Sequence, residues 1–147
     1  MTEDSYFHVG LIVPKLEPAL EELGALLGLT WRDTFDGDTP VRNADGSEQV
    51  VRIRFAYSQQ APYLEVIEAV PGTPWAYSTT GSNLHHLGFF ADDVPGEAER
   101  VASAFCPFEV CGLGPQGEHP VAFTYHQRGG LRIELVDSAA RAFMFGS

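Results

Sequence analysis

A pattern of histidine, apolar residue, glycine and two further apolar residues occurs twice in the chain, and it constrains the fold more than any other feature. The first copy is His-Val-Gly-Leu-Ile at residues 8–12, and the second is His-Leu-Gly-Phe-Phe at residues 86–90. Each half also ends in an acidic, strand-like run, Leu-Glu-Val-Ile-Glu at residues 64–68 and Ile-Glu-Leu-Val-Asp at residues 133–137. The chain is therefore interpreted as a tandem duplication of one structural unit.

The spacing within the two halves supports this duplication. Glu65 follows His8 by 57 positions, and Glu134 follows His86 by 48 positions. The nine extra residues of the first half fit a polar insert at residues 33–47. A length of 147 residues is typical of one domain. We predict that residues 1–147 form a single domain. It consists of module 1 at about residues 6–70, module 2 at about 84–137 and a C-terminal tail at 138–147.

Residue patterns predict the order strand, helix, strand, strand, strand in each half. Alternating apolar and polar positions indicate strands, and leucines at helical spacing before Gly28 indicate a helix that ends there. The predicted strands are at residues 6–13, 30–34, 50–57, 63–70, 84–91, 108–113, 120–126 and 131–137, and the predicted helices are at 17–27 and 95–105. The turn-rich residues 35–47 predict a mobile loop or a hairpin. The fold class is therefore α+β, with two tandem βαβββ modules.

Charge and cysteine content narrow the function classes. A net charge of −11, from 20 acidic and 9 basic residues, argues against nucleic-acid or anionic-membrane binding and fits a protein that binds a small molecule or a cation. The sequence has no apolar run long enough to span a membrane and no signal-like start. Cys106 and Cys111 lie an odd number of positions apart on what reads as one strand, so we expect no disulfide between them. We expect a soluble, cytoplasmic protein.

The candidate chemistry lies on the first and last strands of each half. If these strands curl around one cleft, the imidazoles of His8 and His86 converge with the carboxylates of Glu65 and Glu134, and such a set has the form of a metal site. A histidine on an apolar strand is more often structural, but its recurrence at equivalent positions favours a ligand role. His85 faces the other way and is either structural or a support for a ligand.

Several other titratable residues have less specific interpretations. Glu68 and Asp137 point away from the candidate ligands by the two-residue period of a strand, so we expect them to be solvent-exposed. His119 and His126 could line the rim of the cleft.

With these motifs the chain resembles the vicinal oxygen chelate superfamily, which includes glyoxalase I, methylmalonyl-CoA epimerase, extradiol dioxygenases and bleomycin-resistance proteins. The resemblance spans about residues 6–137 and is closest to the glyoxalase-like and epimerase-like branch. It implies that the tandem modules form a cupped mixed sheet around one divalent metal ion in a homodimer. The metal ligands that it implies are His8, Glu65, His86 and Glu134.

A mixed set of nitrogen and oxygen ligands suits Zn, Ni, Co, Mn or Fe, and the sequence does not choose among them. Such a metal can act as a Lewis acid for proton transfer next to a carbonyl group. The base would be Glu134 or Glu65. Glu48 is a third candidate, because epimerases of the family carry a second carboxylate just before the third strand, although it also reads as a solvated loop residue.

The predicted activity is therefore that of an epimerase, isomerase or glyoxalase-type lyase on a small oxygenated metabolite. Scattered arginines argue against a coenzyme A or glutathione substrate. Two alternatives remain open. A bleomycin-resistance-type dimer would sequester a cationic drug, which suits the acidic charge but not the intact ligand set. An extradiol-type Fe(II) dioxygenase would use two His and one carboxylate and leave the second carboxylate position free.

Overall fold

The computed structural model describes residues 1–113 and 123–146. Within them lie eight strands and three helices. The elements of the first half are β1 Tyr6–Val13, α1 Leu16–Leu27, β2 Phe35–Asn43, β3 Glu48–Tyr57 and β4 Tyr63–Glu68. Those of the second half are β5 Leu84–Ala91, α2 Val94–Ala104, β6 Phe108–Gly112, β7 Phe123–Arg128, β8 Leu131–Asp137 and α3 Ala140–Phe145.

The eight strands belong to one mixed sheet. Their order is β1-β4-β3-β2-β6-β7-β8-β5, and the order closes on itself. The first strand of each half pairs in parallel with the last strand of that half, whereas the pairs β3–β4, β6–β7 and β7–β8 are antiparallel. The same order, first-fourth-third-second, thus occurs in both halves. The predicted α+β fold of two tandem βαβββ modules is confirmed.

The strand register is the same in both modules. In the β1–β4 pair Gly10 lies opposite Glu65, and in the β5–β8 pair Gly88 lies opposite Glu134. Each glycine belongs to the repeated pattern, and each glutamate belongs to the closing strand of its module. The duplication read from the sequence is therefore also a duplication of backbone pairing.

One compact unit consists of residues 8–38 and 51–86. Its core lies between α1 and the sheet, where Val13, Leu16 and Val66 are buried with several half-buried leucines around them. The helix ends at Gly28, whose φ of 69° is the left-handed conformation that glycine adopts most easily.

The other compact unit consists of residues 1–7, 39–50 and 87–147, of which 114–122 and 147 lie outside the described residues. Helix α2 packs here through Val94 and Val101 onto a core that includes Cys106 and Leu135. Asp93 caps this helix by accepting a hydrogen bond from the backbone N–H of Gly96.

Several boundary predictions need correction. Residues 30–34 form no strand, because Trp31 makes only an isolated bridge to Ser58. Of the two alternatives predicted for residues 35–47, a mobile loop or a hairpin, the structure has the hairpin: these residues form its first arm and turn, and Gly46 has a φ of 86°. The predicted tail contains helix α3. The predicted strand at 120–126 is observed from Phe123 to Arg128, and its first residues lie outside the described part of the chain.

The two cysteines also differ from the prediction. Cys106 precedes β6 instead of lying on the same strand as Cys111. Both cysteine side chains are buried. No helix within the described residues is long and apolar enough to cross a membrane.

Candidate metal centre

Two imidazoles and one carboxylate meet inside the compact unit of residues 8–38 and 51–86. The Nε2 atoms of His8 and His86 lie 2.7 Å apart. One oxygen of Glu65 lies 3.8 Å from Nε2 of His8, and its other oxygen lies 3.8 Å from Nε2 of His86. The two ring nitrogens thus face one another with the carboxylate beside both of them.

Burial makes this arrangement costly unless a charge compensates it. His8 is 0% exposed, and Glu65 and His86 are each 4% exposed. A carboxylate that has lost its water is stable only with a proton, an ion partner or a metal nearby. A divalent cation would supply the compensating positive charge, so the chemistry of the group favours a metal site.

Gly10 allows the ring of His86 to lie where it does. A Cβ atom on Gly10 would stand 2.2 Å from Cε1 of His86, far inside contact distance. The ring therefore lies directly against the backbone of β1. This close approach gives the glycine of the repeated pattern a physical reason in the first module.

Glu134 is the carboxylate of the second module. It lies on β8 opposite Gly88 of β5 and Tyr125 of β7, and it is 6% exposed. His8, Glu65, His86 and Glu134 form the buried group of side chains that could hold a metal ion. Two imidazoles and two carboxylates, all buried, are a donor set that fits a divalent ion of the Mn to Zn series.

His85 contacts His86 although the two residues are neighbours on β5. The Nδ1 atoms of the two rings lie 2.9 Å apart, and Nε2 of His85 lies 2.6 Å from the carbonyl oxygen of Pro74. Of the two roles that the sequence left open for His85, this contact fits support of a candidate ligand.

The comparisons with known proteins identify the family of the chain. The model of the Glyoxalase/Bleomycin resistance protein/Dioxygenase superfamily matches residues 7–109, which is more than half of the chain. The chain belongs to this superfamily. The resemblance to the vicinal oxygen chelate proteins, inferred from the repeated motifs, is thereby confirmed.

Solved structures show the superfamily fold at low sequence identity. A variant of the methylmalonyl-CoA epimerase of Streptomyces coelicolor, in complex with 2-nitronate-propionyl-CoA, is 20% identical, with 92% of this chain and 98% of that chain covered and a TM-score of 0.63. The methylmalonyl-CoA epimerase of Mycobacterium tuberculosis is 19% identical, with 93% and 92% covered and a TM-score of 0.59. A hypothetical protein from Bacillus halodurans C-125 is 12% identical, with 93% and 96% covered and a TM-score of 0.61. No curated protein matches the chain.

Neither Glu48 nor Glu68 belongs to the group of candidate metal ligands. Glu48 begins β3, its side chain is 52% exposed, and it lies 3.6 Å from Arg42. Glu68 is not simply solvent-exposed as predicted, because it accepts hydrogen bonds from the first backbone N–H of α1 and from Arg54. That N–H is one of the donors that a helix leaves unsatisfied at its start, which explains the role of Glu68.

Asp137 and His126 each form a hydrogen bond with the backbone. The carboxylate of Asp137 accepts a hydrogen bond from the backbone N–H of Ala139. His126 does not line an exposed rim: it is 0% exposed, with Nδ1 3.1 Å from the carbonyl oxygen of Cys106. Burial lowers the pKa of His126. His119 lies outside the described residues.

Sequence reasoning missed the support around the two histidines. Tyr57 is buried, and its ring meets that of His8 edge-on with centroids 5.2 Å apart. The glycine of the repeated pattern was the one signal that could have indicated close packing around the ligands, whereas the contact between His85 and Pro74 has no local pattern.

Proposed function

We propose that the protein is a divalent-metal-dependent enzyme that transfers a proton at a carbon next to a carbonyl group. The observation that carries this proposal is the meeting of two buried histidines and the buried carboxylate of Glu65 in a chain of this superfamily, with Glu134 buried at the equivalent position of the second module. A purely structural role would not require a buried carboxylate beside two imidazoles.

The proposed ligands are His8, Glu65, His86 and Glu134. When bound, a divalent metal supplies Lewis-acid chemistry that stabilises negative charge on a substrate oxygen. The two imidazoles bind through Nε2, because these atoms face the carboxylate of Glu65. The surrounding burial excludes water from the reacting carbon.

One of the two carboxylates serves as the base. Glu65 or Glu134 takes the proton from the substrate carbon, the C–H bond breaks, and its electron pair is delocalised onto the carbonyl oxygen. Return of the proton to the other face of the same carbon gives an epimer, and return to the neighbouring carbon gives an isomer. Glu48 is the third candidate base, and its exposure means that bound substrate would have to cover it.

The proposed substrate is a small oxygenated metabolite. Arginines that could bind a phosphorylated carrier already have acidic partners: Arg42 lies beside Glu48, and Arg54 beside Glu17 and Glu68. The solved epimerase complex with a coenzyme A ester nevertheless makes acyl thioesters a class to test. The homodimer and the cytoplasmic location remain predictions.

Elemental analysis of protein purified without chelator tests the metal. We expect about one divalent ion per chain and its loss in His86→Ala and Glu134→Ala. Asp137→Asn is the matched control, because Asp137 lies on the same strand as Glu134 but hydrogen-bonds the backbone of Ala139. Normal metal content in His86→Ala or Glu134→Ala would contradict the assignment of the metal ligands.

Isotope exchange tests the reaction. In D2O, the metal-loaded protein should introduce deuterium into one member of a panel of hemithioacetals, 2-substituted acyl thioesters and hydroxyketones. Glu134→Gln should lose exchange even where it keeps metal. Metal-independent binding of a cationic drug without exchange would support the sequestration alternative, and O2 consumption with a catechol would support the dioxygenase.

A further inference from the structure

His85 connects a candidate metal ligand to a fixed backbone carbonyl. Its ring lies between His86 and Pro74, with Nδ1 2.9 Å from Nδ1 of His86 and Nε2 2.6 Å from the Pro74 oxygen. Both distances are hydrogen-bond distances. The ring of His85 is 7% exposed, so water is largely excluded from it.

The direction of these hydrogen bonds follows from the Pro74 carbonyl, which can only accept. Nε2 of His85 must therefore carry a hydrogen, and in a neutral imidazole Nδ1 is then an acceptor. Because that Nδ1 atom faces Nδ1 of His86, the His86 nitrogen must donate. The neutral ring of His86 is consequently left with its lone pair on Nε2, the atom that faces His8 and Glu65.

The Pro74 carbonyl is held in place by the turn that contains it. The hydroxyl of Thr73 donates to the carbonyl of Val70 at 2.7 Å and accepts from the backbone N–H of Trp75 at 3.1 Å. Trp75 is 1% exposed, and its carbonyl accepts from the backbone N–H of Val70 at 3.0 Å. The chain of hydrogen bonds thus begins at an anchored backbone atom.

We propose that His85 is a positioning residue that fixes His86 in the tautomer protonated on Nδ1, so that Nε2 is presented to the metal. The proposal rests on the proposed function, because it takes a metal ion to be what Nε2 of His86 binds. It assigns a role to a residue outside the candidate ligand set. Ligand histidines whose other nitrogen is held in this way bind metal more tightly, and loss of such a partner typically costs about ten- to hundredfold in affinity.

The tautomer can be measured without any metal. In metal-free protein labelled with 15N-histidine, long-range 1H–15N correlation spectra should show His86 with a protonated Nδ1 and a bare Nε2. His85→Leu removes the acceptor and should convert His86 to a mixture of tautomers. His85→Asn retains an acceptor, because its Oδ1 is as many bonds from Cβ as Nδ1 is, and it should restore the wild-type tautomer.

Metal affinity, measured with Zn2+ against a chromophoric chelator, gives the second readout. We expect the Zn2+ affinity of His85→Leu to be about ten- to hundredfold weaker than that of the wild type, and the affinity of His85→Asn to remain closer to the wild-type value. His126→Asn is the control for loss of a buried histidine elsewhere, and it should change neither readout, with circular dichroism confirming that each variant is folded.

The role of His85 would be overturned if His86 of the wild type were protonated on Nε2. It would also be overturned if the tautomer of His86 were unchanged in folded His85→Leu. A wild-type protein that binds no divalent metal would instead overturn the proposed function. The two failures are distinguishable because the tautomer is read in the metal-free protein.

Discussion

Gly10 is the residue at which backbone and candidate site meet most closely. The Cβ atom of Gly10→Ala would stand 2.2 Å from the His86 ring, so the ring would have to move. We expect a loss of at least about tenfold in metal affinity, because the displaced ring also loses its hydrogen bond to His85. Metal titration of the purified variant measures this.

Gly130→Ala is the matched control, since a Cβ atom there meets nothing within 4 Å. It should bind metal like the wild type. Equal affinities in Gly10→Ala and Gly130→Ala would contradict the claim that the site requires a glycine at position 10.

His126 predicts a pH dependence of stability. Burial lowers its pKa below the ordinary value of 6.5, so the unfolded chain takes up this proton at a higher pH than the folded protein does. The free energy of unfolding should therefore fall as the pH is lowered through about 6.5. His126→Asn removes the titrating group and should show a smaller fall.

Urea unfolding at about pH 7.5 and about pH 5.5 measures both falls under otherwise equal conditions. The two proteins differ only at residue 126, so the difference between their losses of stability isolates His126. Equal falls in the two proteins would show that His126 does not contribute.

At the level of single residues, the repeat led to the prediction of the four candidate ligands as a group. The strand period placed each histidine and each glutamate on a definite face, and the observed register put both glutamates opposite the pattern glycines. The contact of His85 with Pro74 could not be predicted, because it depends on where a turn eleven residues away in sequence places one carbonyl oxygen.

Among the elements, α1 buries one of its side chains completely. Leu16 is 0% exposed between Val13 and Val66, whereas Leu26 on the same helix is 74% exposed. We expect Leu16→Ala to lower the free energy of unfolding by about 2–5 kcal/mol through lost burial and a cavity. Leu26→Ala should change it by less than about 0.5 kcal/mol. Chemical denaturation of both variants makes the comparison, and similar losses would contradict the packing described for α1.

The sequence predicted elements well where apolar periodicity was strong. Strands 84–91 and 131–137 match their predicted bounds, because apolar runs with β-branched and aromatic residues have few alternatives. The arm at 35–43 was harder to assign, since its polar and glycine-containing sequence resembles a loop. Pairing with β6 and the ion pair between Asp36 and Arg52 supply what its intrinsic propensity lacks.

For the whole molecule, metal binding should be visible as stability. A ligand that binds only the folded state stabilises it by about 2.7 kcal/mol when its free concentration is 100 times its Kd. We therefore expect the melting temperature to fall when chelator removes the metal and to recover on addition of Zn2+. In His86→Ala the melting temperature should be insensitive to both treatments, as followed by calorimetry. A response to Zn2+ as large as that of the wild type would point to binding elsewhere.

The buried thiols of Cys106 and Cys111 have a practical consequence for following motion in this protein. Both are 0% exposed, and burial raises the pKa of the Cys111 thiol. Because only an exposed thiolate reacts readily, a fluorogenic maleimide should label them only when the surrounding core opens. The labelling rate then reports how often residues around β6 separate from their neighbours, without an introduced probe.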